Sequence, residues 1–271
     1  MNSDKNSSVL IVGCGWVGKK LGEKLINDGF TVYGTTRSSS NFSELNEAGI
    51  KPVKLELPAK SLSEIRLPEV DSVLISISPG RGENRDEYPT VIGQLSQVLA
   101  ERNVQVLMYS STSAYGNATN EVKETDAVPD RNSKNTMIAA EGELLEYIPE
   151  AVILRLCGLY GEDRHPAKYM AGRTDIADGD APVNLVHRED VIQVTQKIIS
   201  ENIRGEIYNV CSGSHPSRSE IYTVVAERLG LKKPTFVEGG ADGKTVSSKK
   251  LINRFDLEFL HPDPMEFEAL D

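Results

Sequence analysis

The chain has 271 residues and a formal net charge of -10 at pH 7. That length suits one sizeable domain with an appended lobe, and the acidic balance makes a nucleic-acid backbone an unfavourable partner. No run of about 18 apolar residues occurs, so nothing is expected to span a membrane, and the polar N-terminus MNSDKNSS carries no signal-peptide core. The three cysteines, Cys14, Cys157 and Cys211, are odd in number and scattered, so neither a disulfide framework nor metal spacing is expected, and a reducing cytoplasm fits.

In chain order, the apolar run Val9 to Val12 stops at Gly13, and Gly15 and Gly18 complete the spacing G-x-G-x-x-G. Val17, Leu21 and Leu25 then recur at helical spacing. This is a strand, a tight turn and a helix, the unit that holds a dinucleotide. Gly13 permits the sharp exit from the strand. Gly15 lets a pyrophosphate approach the backbone, and Gly18 lets the helix sit close to the strand, with Gly22 helping one turn later. The helix N-terminus, with Trp16 and Val17 in its first turn, offers amide N–H groups and partial positive charge to an anion. Cys14, inside the turn, is read as a small residue that fits rather than as a reactive thiol.

Gly29 closes the helix, and Phe30 to Thr35 reads as a second strand. A carboxylate at the end of this strand would bond the ribose 2′-hydroxyl of NAD. The residues there are Thr36, Arg37 and Ser38, with no carboxylate before Glu44. Arg37 suits a 2′-phosphate, so NADP is preferred to NAD. Further on, Ser43 to Ala48 is a short helix and Lys51 to Leu57 a third strand. Asp71 to Ser76 is a fourth strand, followed by a turn over Ser78-Pro79-Gly80-Arg81-Gly82. Tyr88 to Glu101 is an amphipathic helix, Gln105 to Ser110 a strand, Ser133 to Tyr147 a helix and Ala151 to Leu156 a strand.

This alternation predicts an α/β fold, a Rossmann-like doubly wound parallel sheet with a small C-terminal substrate lobe. Ligands in such a sheet lie beyond the carboxyl ends of the strands. The positions to watch are therefore Gly13, Thr36, Glu56, Leu57, Ser76, Ser110 and Cys157. From Gly161 the composition turns polar. Val186 to Ile199 and Ser217 to Leu229 then read as helices and Glu206 to Cys211 as a strand, and Ser247 to Leu251 starts a small helix. Residues 1–160 are assigned to the dinucleotide-binding domain, with 186–211 returning to it, and 161–185 and 212–271 to the lobe.

Several segments carry a resemblance. Tyr109 to Gly116, YSSTSAYG, resembles S-S-x-x-V-Y-G, and Leu154 to Gly161 is similar to L-R-x-x-x-x-Y-G-P, with Glu162 in place of the proline. Asn184 to Val191 resembles I-H-V-x-D-V, and Glu206 to Val210 contains Y-N-V. With the glycine turn, these resemble the extended short-chain dehydrogenase/reductase family, the nucleotide-sugar epimerases and dehydratases. The resemblance implies an NAD(P) cofactor, a small-molecule substrate such as a nucleotide sugar, and a homodimer formed through two helices per subunit. It also implies a hydroxyl that holds the substrate oxygen, here Ser111, and a Y-x-x-x-K pair for acid/base work.

That pair is missing. Ala139-Ala140-Glu141 fixes the register, which puts Ser133 at the tyrosine position and Met137 at the lysine position. A serine cannot replace a phenol without a strong activator, and a methionine supplies no charge. Tyr115, on the same strand-end loop as Ser111, is the nearest substitute, although a packing role beneath the site is the commoner use of such a tyrosine. Lys134 offers charge from a displaced position, with His165, His187 and Glu162 as further candidates. Arg164 and His165, with Arg173, follow the sixth strand, where a substrate would lie. His187-Arg188-Glu189-Asp190 lacks a third ligand at sensible spacing, so no metal is expected. Two readings result: an oxidoreductase or epimerase with an altered acid/base, or a catalytically silent NADP(H)-binding sensor or scaffold.

Overall fold

The apolar run Val9 to Val12 is wholly buried and makes up most of β1 (Ser8–Val12) in the computed structural model. The structure describes residues 7–80, 85–162, 164–165 and 167–266. The first residues of the polar N-terminus, Arg81 and Gly82 of the expected turn, and Asp163 and Pro166 lie outside the described residues.

α1 (Trp16–Asn27) leads to β2 (Thr31–Thr36), then to α2 (Phe42–Glu47), β3 (Lys51–Lys54) and β4 (Ser72–Ile75). α3 (Tyr88–Ala100), β5 (Gln105–Ser111), the two-residue β6 (Glu121–Val122), α4 (Thr136–Tyr147) and β7 (Val152–Leu156) follow. Then come β8 (Gly158–Tyr160), α5 (Ala167–Met170), β9 (Leu185–His187), α6 (Arg188–Ser200) and β10 (Ile207–Val210). α7 (Arg218–Arg228), β11 (Thr245–Val246) and α8 (Lys249–Phe255) complete the order.

Seven strands form one sheet in the order β10-β7-β5-β4-β1-β2-β3. β1 pairs in parallel with both β2 and β4, β2 with β3, and β4 with β5. The expected doubly wound α/β sheet is therefore present, and the direction of winding reverses between β1 and β4. That reversal opens a crevice at the carboxyl ends of the strands. Two small parallel pairs, β6 with β11 and β8 with β9, were not expected from the sequence, because two- and three-residue strands carry no periodicity. The helix expected from Ser133 starts at Thr136, because the Asn135 side chain caps it, accepting from the Met137 and Ile138 amides at 3.0 and 3.3 Å. The helix expected from Val186 starts at Arg188, because Leu185–His187 is spent on β9.

The chain divides into two compact units. The first comprises residues 1–110, 128–154 and 194–207, and the second 111–127, 155–193 and 208–271. The 111–127 segment therefore clusters with the second unit, whereas the sequence reading grouped it with the dinucleotide-binding part. In the first unit a buried amide fastens the amino end of β5. Gln105 accepts from Ser72 Oγ at 2.9 Å and donates to the carbonyls of Ile198 and Ile203 at 3.0 and 2.8 Å. In the second unit Tyr160, Val183, Leu185, Ile221 and Val225 form a core against which Phe236 and Met265 pack.

Cys157 and Cys211 correct the expectation of unconnected thiols. They lie at the ends of the neighbouring strands β7 and β10, with Cα atoms 5.2 Å apart, and form a disulfide across 54 residues. Strand neighbours far apart in sequence cannot be recognised from cysteine spacing. Thiol titration of unfolded protein is expected to find one free group, Cys14, before reduction and three after it. Three free thiols without reductant would refute the bond. No helix among the described residues is long and apolar enough to cross a membrane.

Candidate functional site

A cleft of about 590 Å³ opens in the first unit at the carboxyl ends of β1, β2 and β4. Its volume is in the range of small-molecule and cofactor sites. Gly13, Cys14 and Gly15 form one wall, Thr36, Arg37, Ser38 and Asn41 a second, and Leu55, Leu57 and Pro58 a third. Ser76 to Gly80 and the start of α3 close it.

The turn is built as its sequence requires. Gly13 has φ +88°, and a Cβ there would lie 2.6 Å from Ile77 Cγ2, so only glycine fits. The Gly13 amide donates to Thr35 Oγ1 at 2.9 Å and the Cys14 amide to the Thr35 carbonyl at 3.1 Å, tying the turn to the end of β2. At Gly18 a Cβ would meet Ile11 Cγ2 at 2.9 Å, so the absent side chain lets α1 lie on β1. Gly15 differs: a Cβ there would meet nothing within 4 Å, because it would point into open space. Gly15 is also the N-cap of α1 and supplies no side-chain cap. The start of this helix therefore presents backbone amides and the positive end of its dipole to the cleft, the donor set a pyrophosphate requires. The residues present fit a dinucleotide.

At the end of β2, Arg37 and Ser38 are exposed at the cleft wall. Among the described residues that line the cleft, Arg37 is the one cation and Glu87 the one carboxylate. Glu44, the first acid after β2, is paired with Lys19 at 2.8 Å. Asn41 Nδ2 donates to Thr36 Oγ1 at 3.2 Å, and Ser38 Oγ accepts the Ser40 amide at 3.2 Å, so the loop is held by its own side chains.

The expected cofactor residues divide accordingly. Gly13, Gly15, Thr36, Arg37, Ser38, Leu57 and Ser76 are brought together at the cleft. Trp16, Val17 and Gly18 stand in the first turn of α1; Val17 and Gly18 are buried, so any contact those two make with a ligand is through the backbone, while Trp16 is partly exposed. Glu56 is corrected. The strand expected to reach Leu57 ends at Lys54, and in the segment past it Leu55 and Leu57 line the cleft while Glu56, between them, is exposed and pairs with Lys54 at 2.9 Å. Burial pushes the Cys14 thiol up to about 12, and a Cβ on Gly34 would lie 2.9 Å from its sulfur, so Cys14 is an unreactive packing residue.

The expected catalytic residues lie in the second unit. Ser111 is half-buried at the end of β5, and its Oγ accepts the Ser113 amide at 3.1 Å. Tyr115 is buried, and its hydroxyl is fully engaged. It donates to Asn209 Oδ1 at 2.7 Å and accepts from the Arg155 guanidinium at 3.1 Å, while Arg155 lies 5.1 Å from the ring centroid. Burial raises the phenol pKa, with the Arg155 bond and charge opposing it. A proton held between fixed partners is not poised for transfer, so the acid/base expectation for Tyr115 is corrected to a packing role. Met137, at the family's lysine position, is buried, and Lys134 is exposed.

His165 is corrected in the same way. It is wholly buried, stacks edge-on to Tyr160 and accepts the Ala167 amide on Nδ1 at 3.0 Å. Burial, with the Lys168 charge, pushes its pKa down to about 4. Its ring holds the start of α5 rather than a substrate. Arg164 and Arg173 are exposed. His187 is buried, edge-on to Tyr160, and burial with the neighbouring His261 pushes its pKa down to about 4. Glu162 forms an ion pair with the buried Arg188.

Comparison with known proteins gives a consistent pattern. Residues 9–211 match the NAD dependent epimerase/dehydratase family. The chain is 33% identical to Protein YeeZ of Escherichia coli strain K12 over 267 residues, covering 95% of this chain and 97% of that protein. It is similar in fold to UDP-glucuronic acid 4-epimerase from Bacillus cereus in complex with NAD, with TM-score 0.76, 22% identity and coverage of 96% of this chain and 97% of that one. dTDP-glucose 4,6-dehydratase from Bacillus anthracis in complex with NAD is also similar, with TM-score 0.74, 17% identity and coverage of 96% and 94%.

Proposed function

The chain belongs to the NAD dependent epimerase/dehydratase family, and on that premise we propose that its first unit binds NADP(H) in the cleft at the glycine turn. The observation that carries this reading is Arg37, the one cation among the described residues that line the cleft, at the end of β2, where an NAD-binding chain would carry a carboxylate. A guanidinium there pairs with the 2′-phosphate, and the Gly15 end of α1 receives the pyrophosphate. When bound, the nicotinamide supplies the hydride donor or acceptor. The family suggests a nucleotide sugar as the substrate class, and the epimerase and the dehydratase above act on such compounds by name. Ser111 is the hydroxyl proposed to hold the substrate oxygen.

A second reading is favoured by one observation. The Tyr115 hydroxyl is committed to Asn209 and Arg155, and a buried methionine occupies the lysine position. A chain built this way can bind NADP(H) without turning it over and act as a sensor or scaffold.

Trp16, the single tryptophan, sits in the glycine turn and reports binding. Titration of its fluorescence is expected to show NADPH binding more tightly than NADH. Arg37→Glu should weaken NADPH by about 10–100-fold, the loss of one to two charge-assisted hydrogen bonds, and leave NADH within about threefold. Equal losses for both dinucleotides would remove the phosphate role from Arg37.

A further inference from the structure

β9 ends at His187 and α6 begins at the next residue, which puts Glu189 in the first helical turn. The sequence offers these two donors side by side but no third at regular spacing. The fold supplies one from 72 residues further along. Asp190 accepts the backbone amides of Leu260 and His261 at 2.5 and 3.2 Å and so fastens the C-terminal segment over the start of α6. This brings His261 Nε2 to 3.3 Å from Glu189 Oε2 and its ring centroid to 3.6 Å from that of His187. One donor atom from each of His187, Glu189 and His261 lies within 4.8 Å of the other two.

We propose that His187, Glu189 and His261 form a binding site for a borderline divalent cation such as zinc. Two imidazoles and one carboxylate are the donor set such ions take when a position is left open for water. With bonds of about 2.0–2.1 Å, tetrahedral donors stand about 3.3 Å apart, the separation already present between Glu189 and His261. His187 closes the remaining gap through Nδ1. Its Nε2 faces Gly161, where even a Cβ would come within 2.6 Å. Nδ1 now accepts the Glu189 amide at 3.2 Å, and an amide in the first turn of a helix can pass to water when the ion takes that lone pair. The side chains of His261 and Glu189 are 40% and 38% exposed, which leaves a path for the ion and an open fourth position. Asp190 acts as the outer support, because its carboxylate holds the backbone of one ligand rather than the metal. None of the residues lining the dinucleotide cleft takes part.

The test uses tag-free full-length protein, calorimetric titration with zinc chloride and melting curves with and without zinc. One zinc per chain at micromolar affinity is expected, with a rise in Tm that follows mass action. His261→Ala removes a half-exposed side chain, so it should fold, lose at least about 30-fold in affinity and lose the rise in Tm. Glu189→Gln should behave similarly. A Cys14→Ser variant should bind zinc as before. Absence of stoichiometric binding would overturn the site, and so would binding that His261→Ala leaves unchanged, which marks an adventitious ion only. NADPH affinity is measured in the same samples, so failure of this site and failure of the cofactor assignment are separately visible.

Discussion

Gly15→Val abolishes dinucleotide binding and leaves the protein folded, with its melting temperature lowered by only a few degrees. Both halves of this expectation come from one position. A Cβ at Gly15 meets no atom of the protein within 4 Å, so the folded chain accepts a side chain there. Its φ of -95° is in the negative range, but its ψ of -146° lies outside the main regions for L-residues, so a valine there carries a modest backbone cost. The space that the valine methyls enter is the space through which a pyrophosphate approaches the start of α1. Displacing the anion by a side chain's width removes two charge-assisted hydrogen bonds of about 1.5–3 kcal/mol each, about 100-fold or more in affinity. Gly18→Ala is the contrasting variant. Its methyl would press on Ile11 Cγ2 from 2.9 Å, so it should lower the melting temperature first and affinity second. Undiminished NADPH binding by Gly15→Val would mean that the pyrophosphate lies elsewhere and the glycine turn serves packing alone.

Arg155→Ala destabilises the protein by about 3–5 kcal/mol, the combined cost of a large buried side chain's lost packing and of carbonyls left without their donor. Arg155 is wholly buried, and its guanidinium reaches three acceptors in the second unit. These are the Tyr115 hydroxyl at 3.1 Å and the Glu124 and Ala127 carbonyls at 2.9 and 2.7 Å. Removing the side chain takes this donor from the Glu124 and Ala127 carbonyls, leaves the Tyr115 hydroxyl its Asn209 bond alone, and opens a void under the Tyr115 ring. Arg155→Lys should recover little, because one ammonium on a narrow stem cannot span acceptors that a planar fork reaches together. The midpoint of urea unfolding measures this. Arg204→Ala is the control, since its ion pair with Glu150 at 3.2 Å is open to solvent on the Glu150 side and such surface pairs contribute about 1 kcal/mol or less. Equal midpoint shifts in the two variants would refute the network's importance.

The glycine turn was legible because each of its residues reports a local constraint: a left-handed backbone, an open approach, a close helix. The alternation of strands and helices was legible for the same reason, since periodicity is a property of neighbours in sequence. The place of Arg37 on the cleft wall was legible because the end of β2 is a fixed distance from the turn. Tyr115 shows where such reading stops. Its position four residues after Ser111 suggests chemistry, but its partners, Asn209 and Arg155, come from distant strands and decide that it packs. Glu56 shows a finer limit, because it follows the end of β3 and stands outside the cleft although both its neighbours line it. The Cys157–Cys211 bond and the meeting of His187 with His261 depend on which segments the fold lays side by side, and no local spacing encodes that.

The division into two units has a consequence for anyone who would take the protein apart. The chain passes from one unit to the other five times, and four of those passages fall inside β5, β7, α6 and β10 rather than in linkers. Ordinary domain boundaries fall where few bonds cross. Here no single scission liberates either half, and any fragment ending at a passage carries a severed strand or helix with unsatisfied backbone groups. The cofactor cleft therefore has no portable form. Shortened versions should be insoluble or unfolded, and a recombinational swap of the second unit would need five simultaneous joints.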